Sequence, residues 1–301
     1  MPGDAMKRVF KWIGYIVSGL LIVILLCVGT VYAITSSRIA KTYSTTIPSL
    51  AIPADSASIA RGRHLVESVG KCQACHGDDY SGKVLMDDPV FVHLTTANIT
   101  RGKDGIAASY TDDDWVRTIR YGINPSGRSL LFMPSEHFTH FNDTDLSQMV
   151  AYLKTLPPAD RKIEQRRSVG PIGRMVTLLG GFPLLPASMI DRNMPRPVIP
   201  EGNTVEYGKY LIDAGGCRGC HGDNLGGTTM GSTKTPNLTR SGEPGKWTEA
   251  DFVKVLHTGV RPDGRILSAE MPWPYMKGLT DTELGAMWKY LQSVSPAPAA
   301  K

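Results

Sequence analysis

Two short motifs of cysteine and histidine carry the strongest chemical signal in this sequence. The segment CQACH at residues 72–76 recurs as CRGCH at residues 217–221. Two thiols three positions apart, followed at once by a histidine, have the spacing that attaches a c-type haem. The thiols bond to the two vinyl groups of the haem, and the imidazole then lies under the iron as an axial ligand. The predicted attachment residues are Cys72, Cys75, Cys217 and Cys220, and the predicted histidine ligands are His76 and His221.

Paired cysteines have two other common uses, as half of a zinc site or as a redox disulfide. A zinc ribbon needs two cysteine pairs that close on one metal, whereas each pair here carries its own histidine. A redox pair of the thioredoxin type needs a βαβ context, which the sequence around the motifs does not indicate. We therefore expect two covalently bound c-type haems, each with one iron.

Length and composition favour two exported domains. A chain of 301 residues suits about two domains. The net charge of +5 comes from basic residues dispersed along the chain, so we expect no nucleic-acid partner. Four of the 5 cysteines belong to the motifs and the remaining one, Cys27, lies in an apolar run, which leaves no pair for a structural disulfide. Because haem is attached to such motifs outside the cytoplasmic membrane, the chain needs an export signal.

The N-terminal segment can supply that signal. Basic residues precede an uncharged stretch at 12–34 that is long enough to cross a bilayer as a helix. Positive charge on its N-terminal side would hold that end in the cytoplasm. A cleaved signal peptide is the alternative, with residues 31–33 as an acceptable cleavage site. We favour a transmembrane anchor at 1–34 in the bacterial cytoplasmic membrane and a tether at 35–55, with the haem domains on the periplasmic side.

A repeat extends well beyond the two motifs and predicts one small helical domain built twice. Each copy has an N-cap threonine before an acidic turn, a helix that ends at a glycine, and a Met-Pro pair before a terminal helix. The matching segments are 98–100 and 237–239, 111–122 and 248–259, 133–134 and 271–272, and 143–153 and 281–291. The predicted fold class is all-α, with one N-terminal transmembrane helix followed by two tandem haem domains. Their predicted bounds are 56–157 and 203–294, with a crossover at 158–202 and a tail at 295–301.

Gly62 and Gly208 occupy equivalent mid-helix positions ahead of the two motifs. A glycine inside a helix costs stability, and the close approach of another helix would be a reason to retain it. We expect the terminal helix of each domain to cross there.

Each iron needs a second axial ligand or an open site, and Met133 and Met271 are the candidates. Both occupy the same position in the repeat, each before a proline, and a methionine opposite a histidine raises the haem potential. Methionine is more often a core residue, but none of the competing residues has an equivalent in the other repeat. The competitors are Met86, His93, His137 and His140 in the first copy, and Met230, His257 and Met276 in the second.

Together these segments resemble class I cytochromes c. The resemblance rests on NIT at 98–100, YTD at 110–112, RYG at 120–122, GR at 127–128, MP at 133–134 and DTDL at 143–146. More narrowly, the chain is similar to the multihaem cytochrome c subunits of bacterial membrane-bound alcohol, aldehyde and gluconate dehydrogenases, which typically carry three haem motifs where this chain has two. The resemblance covers both repeats. It implies His/Met ligation, all-α haem domains, and passage of electrons from a periplasmic dehydrogenase toward the respiratory chain.

The predicted function is electron transfer, and the predicted partners are the membrane and a periplasmic dehydrogenase or other redox protein. The alternative is an enzyme, a dihaem peroxidase with one open haem site. Such a peroxidase should lack the equivalent methionine in one repeat, whereas both repeats have it. No paired carboxylates, nucleophile–base pattern or nucleotide-binding fingerprint appears elsewhere, so we assign no catalytic residue.

The segment at 158–202 has two open interpretations. It begins with a basic stretch and continues as an apolar run broken by prolines and glycines, which disfavours a second membrane span. It is either a long crossover packed on both domains or a segment that contacts a membrane surface or a partner.

Overall fold

The computed structural model describes residues 2–181, 184–230 and 233–297, and this part of the chain is mostly helical. Its α-helices are α1 (Pro2–Ala40), α2 (Ser56–His64), α3 (Gln73–His76), α4 (Asp112–Tyr121), α5 (Ser135–Phe138), α6 (Asp143–Leu153), α7 (Pro171–Leu178), α8 (Val205–Ala214), α9 (Cys217–His221), α10 (Glu249–Thr258) and α11 (Asp281–Ser293). Its strands are β1 (Val84–Asp87), β2 (Val92–Thr95), β3 (Arg167–Val169), β4 (Thr229–Met230) and β5 (Thr233–Lys234).

The first helix is long and apolar, and most of its described side chains are exposed. Within the described residues, one stretch, Met6–Ala40, is long and apolar enough to cross a membrane, and its most apolar 18 residues have a mean hydropathy of 2.6. The helix continues past residue 34, where the sequence predicted that the anchor ends, as far as Ala40. Beyond it the predicted tether lies on the first repeat, because the Tyr43 amide donates to the Gly127 carbonyl at 2.8 Å and Ile47 packs against the core.

Two equivalent helix crossings form the centre of the two repeats. Helix α2 packs on α6, and α8 packs on α11. At the first crossing an ideal Cβ on Gly62 would lie 1.8 Å from the Gln148 carbonyl oxygen, and at the second a Cβ on Gly208 would lie 1.9 Å from that of Ala286. The predicted contact of backbone against backbone is therefore confirmed at both glycines.

The helix ends that the sequence predicted recur in both repeats. Thr111 accepts a hydrogen bond from the Asp114 amide at the start of α4, and Thr248 accepts one from the Asp251 amide at the start of α10. Each aspartate carboxylate in turn accepts a hydrogen bond from the threonine amide, which completes a capping box. Both helices end at a glycine with positive φ, +62° at Gly122 and +73° at Gly259, which a residue with a Cβ adopts only with strain.

The expectation of an all-α chain needs correction, because two small sheets accompany the helices. β1 and β2 pair antiparallel with Met86 opposite Leu94, and β3 adds to the other edge of β2 with Val169 opposite Val92. β4 and β5 form a second two-stranded ladder. These strands are too short for a clear alternating pattern. In addition, β3 pairs with β2, which is distant in the chain, so the local sequence could not reveal the sheets.

The crossover segment packs mainly on the first repeat and on α1. Its strand β3 joins the sheet of the first repeat, and its helix α7 lies against α1. Further along, Arg196 donates to the Thr139 carbonyl at 2.6 Å. The link between the repeats is therefore a folded layer over the first of them.

Candidate haem sites

The first motif forms a short helix whose histidine is oriented by the backbone. The Nδ1 atom of His76 lies 2.8 Å from the Ala97 carbonyl oxygen, so Nδ1 carries the proton and Nε2 is the atom left to bind a metal. Burial lowers the pKa of His76, which keeps the imidazole neutral as ligation requires. The second motif repeats this arrangement, with His221 Nδ1 2.9 Å from the Pro236 carbonyl oxygen and a pKa that burial again lowers.

A largely apolar cavity of about 440 Å³ brings the predicted residues of the first site together. Cys72, Cys75, His76 and Met133 all line it. Its walls include Ile99, Ile106, Trp115, Ile119, Leu130 and Phe138. An imidazole and a thioether in an apolar enclosure suit a haem iron, and two adjacent thiols suit its covalent attachment. The residues present therefore fit a c-type haem.

The second repeat provides the same donor atoms in matching local geometry. The Ser135 amide donates to the Met133 carbonyl at 2.7 Å, and the Trp273 amide donates to the Met271 carbonyl at 2.8 Å. Met271 and Cys217 are partly buried and pack against the hydrophobic core. The backbone around the second methionine thus follows that around the first.

The motif cysteines do not have the properties of reactive thiolates. Burial raises the pKa of Cys72 to about 12 and also raises the pKa values of the other three motif cysteines. Redox-active cysteines and zinc-binding thiolates need the opposite shift. Among the described residues there is also no cluster of three or more His, Cys, Asp or Glu side chains that could hold a metal ion.

Sequence reasoning missed the residues that hold each motif in place. The Thr96 hydroxyl donates to the Cys75 carbonyl at 2.8 Å, and the Thr235 hydroxyl donates to the Cys220 carbonyl at 2.6 Å. These threonines stand two residues before the repeated NIT and NLT segments. Extending the alignment of the repeats by two residues would have revealed both.

The histidine-orienting carbonyl belongs to alanine in the first repeat and to proline in the second, which predicts a tolerated substitution. Ala97→Pro keeps the carbonyl, and the described hydrogen bonds use Ala97 only as an acceptor. We expect the variant to be more stable by about 0.5 kcal/mol, because proline lowers the entropy of the unfolded chain. Denaturant unfolding of the two proteins measures the difference, and a loss of more than about 1 kcal/mol would contradict the structural equivalence of the repeats.

The competing ligands lie in other surroundings. His93 contacts Asp87 through Nδ1 at 2.6 Å, and Met86 packs in a separate cluster around β2. His257 lies 3.1 Å from Asp281, and Met276 is buried in the core. The remaining two histidines, His137 and His140, are partly buried near the second repeat, and the side chain of Met230 is outside the described residues.

The two motifs meet at the contact between the repeats. The half-buried Lys71, next to the first motif, donates from Nζ to the Val69 carbonyl at 2.7 Å and to the Gly215 carbonyl at 2.8 Å. From the other side, the His137 ring lies against Gly216 and Gly219, where a Cβ would come within 2.9 and 2.5 Å of it.

This contact is reciprocal, because equivalent residues of the two repeats make equivalent contacts across it. His64 of α2 lies 2.8 Å from both carboxylate oxygens of Glu283 at the start of α11. In the exchanged positions, Tyr210 of α8 donates to Asp145 at the start of α6. The interface therefore has approximate two-fold symmetry between the repeats. The aromatic rings of Phe141 and Tyr210 also meet there, 6.3 Å apart and edge to face.

The crossover adds a polar edge to the first cavity. Gln165 and Arg167 line it together with the motif residues. A guanidinium at the cavity edge can bind a carboxylate, and a bound haem would present its two propionate carboxylates.

The comparisons with known proteins agree with this geometry. A cytochrome c family model matches residues 205–295, and the model of subunit III of cbb3-type cytochrome c oxidase matches residues 57–153. The fructose dehydrogenase cytochrome subunit of Gluconobacter japonicus is 26% identical over 274 residues, which cover 80% of this chain and 53% of that protein. The cytochrome c subunit of the quinone alcohol dehydrogenase of Gluconacetobacter polyoxogenes is 26% identical over 282 residues, covering 82% and 58%.

A third relative, a diheme cytochrome c-type protein of Cereibacter sphaeroides, is 29% identical over 223 residues, covering 64% of this chain and 71% of that protein. The chain spans a little over half the length of the two dehydrogenase subunits it matches. The chain therefore contains two cytochrome c domains and is distantly homologous to the cytochrome c subunits of dehydrogenases.

Proposed function

We propose that this chain is a membrane-anchored periplasmic dihaem cytochrome c that transfers electrons between a dehydrogenase and the respiratory chain. In this proposal α1 is retained as the anchor. The two cytochrome c domains lie on the periplasmic side, and the dehydrogenase is a separate protein. The names of the relatives support a dehydrogenase as the electron donor, and the long apolar helix supports the anchor.

Each domain holds its haem through four residues. Cys72 and Cys75 attach the first haem, and the proposed axial ligands are His76 and Met133. Cys217, Cys220, His221 and Met271 do the same in the second domain. A bound c-type haem supplies a one-electron iron couple, whose potential the ligands and the surrounding dielectric tune. The chain's own residues orient the imidazoles, enclose the site in apolar side chains and exclude water.

The observation that carries the proposal is the meeting of the two motifs at one interface. Lys71 bridges from the first motif to Gly215, two residues before Cys217. His137 covers the second motif from the first domain. A protein that moves electrons through two sites needs them close and rigidly held, and this buried interface provides both conditions.

Optical spectroscopy of the purified full-length chain tests the two closed sites. We expect a charge-transfer band from methionine sulfur to ferric iron, and no change in the reduced spectrum when carbon monoxide is added. Met133→Ala and Met271→Ala should each halve the band and allow carbon monoxide to bind at one haem. Met189→Ala is the control, because Met189 is 53% exposed and is not a proposed ligand.

Carbon monoxide binding to the unmodified protein would contradict closed ligation at one haem. It would favour the alternative, a dihaem peroxidase-type enzyme with one open site, and peroxide turnover would then be the measurement to make. If a methionine variant keeps the full band, a different residue ligates that iron.

Reduction by substrate-fed membranes tests the dehydrogenase partner. The purified oxidised chain is added to membranes of a strain that lacks it, with fructose, an alcohol or gluconate as the electron source. Faster appearance of the reduced haem bands with one of these substrates would identify the donor. Equal rates with every substrate and with none would contradict a dehydrogenase partner of this class.

A further inference from the structure

Helix α7 carries an apolar face that the rest of the described chain leaves exposed. Ile172, Met175 and Leu179 are 55%, 54% and 78% exposed. Their spacing of three and four residues places them on one face of the helix and its C-terminal end. A cluster of exposed apolar side chains of this kind marks a surface that another apolar phase covers.

The opposite face of α7 is attached to the body of the first domain. Gly173 is buried, and an ideal Cβ there would lie 2.1 Å from the Phe91 carbonyl oxygen. The Ile172 amide donates to the Val90 carbonyl at 3.0 Å. Because Gly173 and Arg174 lie about half a turn from the apolar face, that face points away from the domain.

Contacts with α1 show at what level α7 lies along the membrane helix. Arg174 donates to the Thr35 hydroxyl at 2.7 Å and to the Ser36 hydroxyl at 2.9 Å, and its guanidinium lies 4.4 Å from the centre of the Tyr32 ring. Thr35 is only 1% exposed. These contacts fall where the uncharged stretch at 12–34 ends, so α7 lies at the level at which α1 leaves the bilayer.

The polar residues around this level suit lipid headgroups. Arg38 lies in the last turn of α1, six residues after Tyr32, and its side chain is exposed. Basic side chains at this depth interact with lipid phosphates, and a tyrosine such as Tyr32 is favoured at the interface between membrane and water.

We propose that α7 is an interfacial helix that inserts the face formed by Ile172, Met175 and Leu179 into the periplasmic leaflet of the membrane. This inference rests on the proposed retention of α1 as an anchor. An amphipathic helix lying in the interface buries its apolar face to a depth of about 5–10 Å. With α1 and α7 both held, the first haem domain has a fixed height and orientation at the membrane surface.

Spin labels on the full-length chain in lipid nanodiscs test this placement. Cys27→Ser removes the cysteine outside the haem motifs, and single labels are then introduced by Met175→Cys, Leu179→Cys, Leu25→Cys and Ile266→Cys. Ile266 is 71% exposed in the second domain and Leu25 is 68% exposed in α1. With both haems reduced, the accessibility of each label to oxygen, which dissolves in lipid, is compared with its accessibility to a water-soluble nickel chelate.

The ratio of oxygen to chelate accessibility is expected to be several-fold higher at 175 and 179 than at 266, and to approach the ratio at 25. A ratio at 175 and 179 equal to that at 266 would overturn the inference, because α7 would then face water. Protection from both reagents would also overturn it and would indicate a protein partner on that face. If the label at residue 25 is as accessible to the chelate as the label at 266, α1 does not lie in the membrane and the proposed anchor is refuted. Failure of the anchor and failure of the α7 placement therefore give different results.

Discussion

Gly208→Ala is expected to lower the free energy of unfolding by about 3 kcal/mol. The added methyl group would lie 1.9 Å from the Ala286 carbonyl oxygen and 2.4 Å from its carbon. The obstacle is backbone of α11, which cannot rotate aside as a side chain could. Helices α8 and α11 would have to move apart over their whole contact, and this loss exceeds the gain of about 1 kcal/mol that alanine brings to an isolated helix.

Gly62 in the first repeat provides a second test of the same effect, and Gly202 provides a control. Gly62→Ala should have an effect of similar size, since its methyl group would meet the Gln148 carbonyl oxygen at 1.8 Å. Gly202→Ala should change stability little, because its nearest neighbour is a threonine methyl group 3.8 Å away. Guanidinium unfolding of the three variants, followed by helical circular dichroism, gives the comparison. If Gly208→Ala and Gly202→Ala unfold at the same denaturant concentration, the two helices are not in backbone contact.

These glycines also show which parts of the fold could be predicted from sequence. A mid-helix glycine at the same position in two copies has few explanations, and close helix packing is the one that the structure confirms. The same holds for Thr111 and Thr248, whose capping boxes follow from residue types a few positions apart. Local rules and an internal repeat are enough for such features, because every residue involved is near in the chain or present twice.

Contacts between distant parts of the chain could not be predicted in this way. No local pattern indicates that Lys71 reaches Gly215 or that β3 pairs with β2, because these partners are brought together only by the packing of the domains. Helix α7 is a related case. The prolines and glycines of the crossover segment disfavour a membrane span, but only the contacts of α7 with α1 fix the level at which this helix lies.

Acidification is expected to weaken the interface between the two domains through Glu283. This carboxylate is 4% exposed and accepts hydrogen bonds from His64, from Arg61 at 3.2 Å and from the Thr280 amide at 2.9 Å. Burial raises its pKa, but the bonds from His64, Thr280 and Arg61 outweigh burial and lower it to about 2. An unfolded glutamate titrates near 4.3.

The sign of the effect follows from that depressed pKa. Stabilisation by the ionised Glu283 is fully present above about pH 4.3 and is lost as the pH falls toward about 2. Glu283→Gln removes the charge and leaves Arg61 and His64 facing a neutral amide. The variant should be less stable by about 2 kcal/mol near neutral pH, and it should lose less stability than the unmodified chain between about pH 4.3 and about pH 2.

Denaturant unfolding at several pH values measures both quantities, and haem absorbance of the two sites reports whether the domains unfold together. Because Glu283 links α11 of one domain to α2 of the other, its loss should separate a single transition into two. Glu206→Gln is the matched control, since Glu206 is an exposed carboxylate in the first turn of α8 and should leave the pH dependence unchanged. Equal acid sensitivity of Glu283→Gln and the unmodified chain would mean that this carboxylate does not hold the domains together, and that other contacts, such as those of Tyr210 with Asp145 and of Lys71 with Gly215, do so.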